Sequence, residues 1–268
     1  VYLVDSGFAT PFANSPPYGN YSLAMQLFNR ALGVRNGQRA HQSAAEVLRE
    51  RRLEPRAVFF THLHADHTSG AAELPADIDY VFGKEEADFV ARVGVGSHFA
   101  NKRRLKTLDY AGVAAMPPLG PAIDLLGDGS LWAISTPGHT PDHTSYLVNT
   151  SPPTLLVGDA VHFAWAFEHD VAARALMAAE RVRSIDSLAA LRRFAARYPQ
   201  VRIVFGHELD SPREHDGSGT VSSEVLQKRF PTPSFLEPVP DSVLRRTDSR
   251  ECLRRAGGPT VAVAHAPS

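Results

Sequence analysis

The stretch Ala57-Val58-Phe59-Phe60-Thr61-His62-Leu63-His64-Ala65-Asp66-His67 runs four apolar residues into three imidazoles and a carboxylate. A short apolar run bounded by polar residues reads as a buried strand. Ahead of it, Ala44, Ala45, Val47 and Leu48 recur at helical spacing between His41 and Leu53, and Pro55 is expected to stop that helix. A helix feeding a fully apolar strand is the alternation of a layered α/β fold with helices covering a sheet. If His62 and His64 continue the extended backbone, their side chains share a face and can reach one metal ion. Asp66 and His67, in the turn that follows, point elsewhere and suit a second ion. Imidazole nitrogen and carboxylate oxygen are zinc ligands.

Working outward, three further apolar strands end in the same way. Leu131–Ser135 enters Thr136-Pro137-Gly138-His139, Leu155–Val157 ends at Gly158-Asp159, and Val201–Phe205 ends at Gly206-His207. Residues released at the ends of several strands assemble an active site on one rim of a sheet. Two metals about 3.5–4 Å apart need a bridging group, and Asp159 has that character. His139 and His207 would complete the two ligand shells. Other expected elements are strands at Val1–Val4, Tyr80–Phe82 and Ser145–Val148, and helices at Lys84–Val93 and Ala172–Arg197. The catalytic domain is drawn as residues 1–212. Residues 213–268, polar and Pro-rich, are drawn as a partly packed extension anchored by Phe230, Phe235 and Leu236.

Bulk composition narrows the function classes. Lys and Arg total 28 against 29 Asp and Glu, a formal net charge of −1. That supplies no field for steering nucleic acid or an anionic membrane, so neither is expected as a partner. No apolar run is long enough to span a bilayer, and the N-terminus lacks a basic-then-apolar signal pattern, which gives the expectation of a soluble, cytoplasmic protein. Cys252 is the single cysteine, so a metal would be held by nitrogen and oxygen.

The run His62-x-His64-x-Asp66-His67 resembles the signature of the metallo-β-lactamase superfamily. Thr136 to His143 (TPGHTPDH), Gly158-Asp159 and Phe205-Gly206-His207 are similar to its later motifs. The resemblance implies an αββα sandwich. It puts one metal on His62, His64 and His139, the other on Asp66, His67 and His207, and Asp159 between them, with Asp5 supporting the metal loop from behind. Within the superfamily the chain is most similar to the N-acyl homoserine lactonases. Those commonly carry a Tyr three residues after the bridging Asp, where this chain has His162, so His162 is the expected donor to a substrate carbonyl. Strands that precede Val1 in the family are not in this sequence.

The chemistry expected of such a site is attack by a metal-bridging hydroxide, with two Zn²⁺ (or Fe, Mn or Co) lowering the pKa of water to about 7. Asp66 would carry the proton to the leaving oxygen. The expected reaction is opening of a lactone or cleavage of a carboxylic ester, a quorum-quenching activity if the substrate is an acyl homoserine lactone. A glyoxalase II-like thioesterase is the alternative, suggested by Gly206-His207-Glu208. A phosphodiesterase or ribonuclease of the same fold and a non-catalytic binding member rank below it. A homodimer stays open.

Several residues carry plainer expectations. His143 either orients a ligand or supports a strand start. Phe163, Trp165 and Phe167 are expected to pack in the core sooner than to line an acyl pocket, and Tyr18 and Tyr21 to be loop residues sooner than a pocket cap. Lys102-Arg103-Arg104 is expected on a solvated helical face. His41, His98, His169, His215 and His265 have no motif around them.

Overall fold

The computed structural model describes residues 1–10, 23, 27, 31, 38, 40–88, 96–149, 151–174, 178–208 and 244–247. They form two compact units, each built on a five-stranded sheet. Tyr18, Tyr21, His215, His265, Phe230, Phe235, Leu236 and the second half of the helix expected at Lys84–Val93 lie outside the described residues.

The first unit contains Val1–Val81 and Ala87–Lys106. Its sheet begins with β1 (Tyr2–Val4), β2 (Ala57–Phe59) and β3 (Asp79–Gly83), paired in parallel with Val4 opposite Phe59 and Phe59 opposite Val81. β4 (Arg104–Leu108) and β5 (Leu244–Thr247) complete the order. β5 thus brings four residues of the C-terminal extension into the sheet. The apolar run before the metal motif is buried from Ala57 to Phe60, as a parallel strand covered on both faces must be. Phe60 packs edge-on against Phe99 at 5.5 Å between ring centres. α1 (Ala44–Glu50) starts at Ser43, whose side chain accepts from Glu46 N–H while Glu46 reaches back to Ser43, a capping box. It ends at Glu50, before Pro55, so the proline is not what stops it.

The basic run departs from expectation. Lys102 precedes a strand and is 2% exposed, its Nζ donating to Leu74 O at 2.7 Å and lying 5.3 Å from the Tyr80 ring centre. Arg103 and Arg104 pair with Asp77 and Asp79. Lys102 is buried ahead of the strand while Arg103 and Arg104 stay exposed, so the run does not lie on a helical face.

The second unit contains Phe82–Glu86 and Thr107–Arg245. Its sheet runs β6 (Ala122–Asp124), β7 (Leu131–Ser135), β8 (Thr144–Val148), β9 (Thr154–Gly158) and β10 (Arg202–Phe205). The first four are antiparallel; β10 joins β9 in parallel. α2 (Ala65–Thr68) belongs to the first unit, and α3 (Ala164–Glu168) and α4 (Ala178–Arg197) to the second. On α4, Ser184, Ser187, Leu188, Leu191 and Phe194 form a buried stripe at helical spacing. Leu188, Leu191 and Phe194 share a core cluster with Trp132, Ile134, Leu147, Leu155 and Val157. Phe167 packs against this cluster, but Phe163 and Trp165 are 46% and 60% exposed, against the packing expected of them.

Candidate metal centre

In the first unit, the backbone of His64 is extended (φ −69°, ψ 156°) and caps α2. His62 and His64 therefore alternate past Leu63, and His62 Nε2 stands 2.9 Å from His64 Nδ1. Asp66 and His67 ride on the first turn of α2, with His67 Nε2 3.7 Å from Asp66 Oδ2. Asp5, at the end of β1 with φ 59°, wires the loop: its Oδ1 accepts Thr61 N–H at 2.7 Å and its Oδ2 lies 2.7 Å from His67 Nδ1. Thr61 Oγ1 donates its one proton to Asp5 Oδ2 at 2.9 Å, so its contact with His62 Nδ1 at 3.0 Å is one in which the imidazole donates. Both His62 and His67 thus keep their protons on Nδ1 and turn Nε2 toward the cluster, the tautomer a metal requires.

His98, which no motif marks, supports the same loop. Thr68 Oγ1 donates to His64 O at 3.0 Å and is 2.8 Å from His98 Nδ1, which must be the donor of that second bond. Burial holds the His98 imidazole neutral, its pKa pushed down to about 4.

In the second unit, Asp159 leaves β9 immediately after a register shift between Leu156 and Gly158, where Gly158 takes φ 52°. A bulge of this kind re-aims the next side chain. The buried carboxylate gathers three imidazoles at Oδ2: His207 Nε2 at 3.1 Å, His139 Nε2 at 3.4 Å and His162 Nε2 at 3.4 Å. Gly206 is required here, because a Cβ on it would fall 2.2 Å from Asp159 Oδ1. The loop carrying His139 is fixed by Ser187, whose hydroxyl donates to Pro137 O at 2.7 Å, and by Asp142, whose N–H donates to Glu86 at 3.1 Å.

His143 is wholly buried and holds the backbone of Asp159, accepting its N–H at Nε2 at 3.1 Å. Its Nδ1 is 2.9 Å from Thr136 Oγ1, which is 2.8 Å from Ser145 Oγ, which donates to Val157 O at 3.2 Å. With Nε2 accepting, every proton in this chain runs one way, from His143 through Thr136 and Ser145 to the carbonyl. Glu208 accepts Ala164 N–H at 2.8 Å and so ties the start of α3 to the His207 loop.

His62, His64, His139 and Asp159 form one group of side chains that could hold a metal ion, and Asp66, His67, Asp159 and His207 form another. The 3.1–3.4 Å spacings around Asp159 exceed those of charge-assisted hydrogen bonds, about 2.7–2.9 Å. They match the roughly 3.3–3.5 Å between neighbouring ligand atoms that each lie about 2.0–2.2 Å from one ion. Nitrogen and oxygen donors at these spacings fit a divalent cation.

Comparison with known proteins agrees. The family model of the metallo-beta-lactamase superfamily matches residues 1–207. The chain belongs to that superfamily. An N-acyl homoserine lactonase, AttM of Agrobacterium fabrum, is 31% identical over 162 residues, 56% of this chain and 57% of that protein. The gamma-lactamase FDB1 of Fusarium pseudograminearum is 32% identical over 124 residues, 41% of this chain and 30% of its own length. The chain thus spans at most about half the length of these curated relatives. A solved N-acyl homoserine lactone hydrolase, holding N-hexanoyl-L-homoserine at its catalytic metal centre, superposes with TM-score 0.59 at 18% identity, covering 78% of this chain and 77% of that one. The fold is the metallo-β-lactamase fold. No helix among the described residues is long and apolar enough to cross a membrane.

Proposed function

We propose that the chain opens lactones, using a two-metal centre to which His62, His64, His139 and Asp159 contribute one ligand set and Asp66, His67, Asp159 and His207 the other. The observation that carries the reading is the buried Asp159 carboxylate with imidazole nitrogens 3.1–3.4 Å from one of its oxygens. Support for a cyclic ester comes from the lactonase at 31% identity. When bound, zinc or a similar ion supplies Lewis acidity and lowers the pKa of water to about 7.

The chain's own residues do the rest. Asp66, on the first turn of α2, takes a proton and returns it to the leaving alkoxide of the opened ring. Asp5 and Thr61 keep His67 and His62 in the binding tautomer, and His143 fixes the backbone from which Asp159 projects. Phe163 offers exposed aromatic surface beside His162 and His207 to the apolar part of a substrate. His162 takes one of two roles, donor to the substrate carbonyl or ligand to an ion.

The test is a hydrolysis panel on metal-loaded protein: acyl homoserine lactones, γ- and δ-lactones, γ-lactams and S-lactoylglutathione. Lactone turnover is expected, with Asp66→Asn lowering kcat about 100-fold or more and weakening metal retention in its ligand set. Turnover of the thioester with none of the lactones would overturn the reading. The gamma-lactamase relative favours a second reading, in which the ring opened is a lactam; γ-lactam turnover without lactone turnover would establish it.

A further inference from the structure

We infer that His162 is itself a metal ligand, an additional imidazole on the ion or ions that Asp159 holds. The inference rests on the two-metal reading above and extends it to a residue outside both ligand sets. Three observations carry it. First, His162 Nε2 and His139 Nε2 stand at the same 3.4 Å from Asp159 Oδ2, so the carboxylate does not distinguish the added imidazole from one assigned to a ligand set. Second, that distance is too long for a good hydrogen bond, about 2.7–3.2 Å, and suits two donors sharing a cation. One carboxylate oxygen has two lone-pair directions, so three imidazoles around it cannot all be satisfied by hydrogen bonding to it.

Third, the position is built into the backbone. His207 N–H donates to His162 O at 2.9 Å, and Glu208 accepts Ala164 N–H, so the segment carrying His162 and the one carrying His207 are tied on either side of the two rings. The rings of His162 and His207 stack 5.3 Å apart, and the His139 ring meets His162 edge-on at 5.1 Å. Phe163 closes against both His162 and His207 at 6.0 and 6.4 Å. The side chain of His162 is 27% exposed against 3% for Asp159, so the ring reaches the buried carboxylate from a more open position.

The experiment compares the wild type with His162→Phe and His162→Cys, each loaded with Co(II) as the probe metal. Metal content after dialysis, competition with a chelator and the visible and near-ultraviolet spectra are the readouts; circular dichroism confirms the fold. His162→Phe should release one ion to the chelator about 100-fold more readily and change the visible Co(II) bands. His162→Cys should regain binding and add a thiolate-to-Co(II) charge-transfer band absent from the wild type, a signal that a merely structural residue could not produce. If His162→Phe matches the wild type in metal content, chelator competition and spectrum, or His162→Cys folds and binds metal without the new band, His162 is not a ligand. If the wild type binds no metal, the two-metal reading falls and takes this inference with it, a result distinct from wild-type binding that ignores residue 162.

Discussion

At the scale of single residues, the site depends on groups whose service is to hold another group still. Gly206 is the sharpest case, since any Cβ there would meet Asp159 Oδ1 at 2.2 Å. Gly206→Ala should therefore turn the carboxylate aside and lower bound metal by half or more in elemental analysis; full metal content in a folded variant would show that the loop yields instead. His143→Leu removes the acceptor of Asp159 N–H, leaving that buried group unpaired, while Thr136 Oγ1 keeps Ser145 Oγ as a partner. At about 1–3 kcal/mol for one orphaned group, unfolding in denaturant should show a loss of that size. A loss below about 0.5 kcal/mol would mean that water or a shifted side chain satisfies the Asp159 N–H. The proposed ligands stand out in the sequence because four of them fall within six positions and the rest follow apolar strands. The service of His143 was only half readable, because its partner is sixteen residues away and the bond goes to a backbone N–H that no side-chain pattern marks.

At the scale of elements, burial turned residues without a motif into parts of the first unit's core. His98, at the end of a short helical turn (Gly96–Phe99), and Lys102, just before β4, are each 2% exposed. Their titrations act on opposite sides of neutrality. Burial lowers the His98 pKa to about 4 against 6.5 in the unfolded chain, so the unfolded state binds more protons between these values. The stability this group contributes is complete above pH 6.5 and is lost as the pH falls through about 4. His98→Gln should flatten the acid limb of stability against pH in that window; an unchanged limb would assign acid unfolding to the carboxylates. Burial likewise lowers Lys102 to about 8 from 10.5, so stability rises with pH between those values, and Lys102→Met should remove the rise. The sequence misplaced Lys102-Arg103-Arg104 because three consecutive cations look solvated. What buries Lys102 is the Leu74 carbonyl and the Tyr80 ring, both more than twenty residues away. Phe163 and Trp165 were misread in the opposite sense. α3 is only Ala164–Glu168, and on so short a helix the core reaches Ala166 and Phe167 while leaving those two rings exposed.

At the scale of the whole molecule, the proposed ligands are spread along the chain between His62 and His207. The unfolded chain presents them more than a hundred residues apart, so it cannot hold an ion as the native state does. An ion that binds only the native state adds RT ln(1 + [L]/Kd) to stability, about 4 kcal/mol at a thousandfold excess over Kd. For a chain of this size about 1 kcal/mol moves Tm by roughly 2–4 °C, so chelation should lower Tm by about 10 °C, and restoring Zn²⁺ should recover it. A loaded protein whose Tm is indifferent to chelator, although elemental analysis shows the metal gone, would mean that the ion does not prefer the native state and is not held by this ligand set.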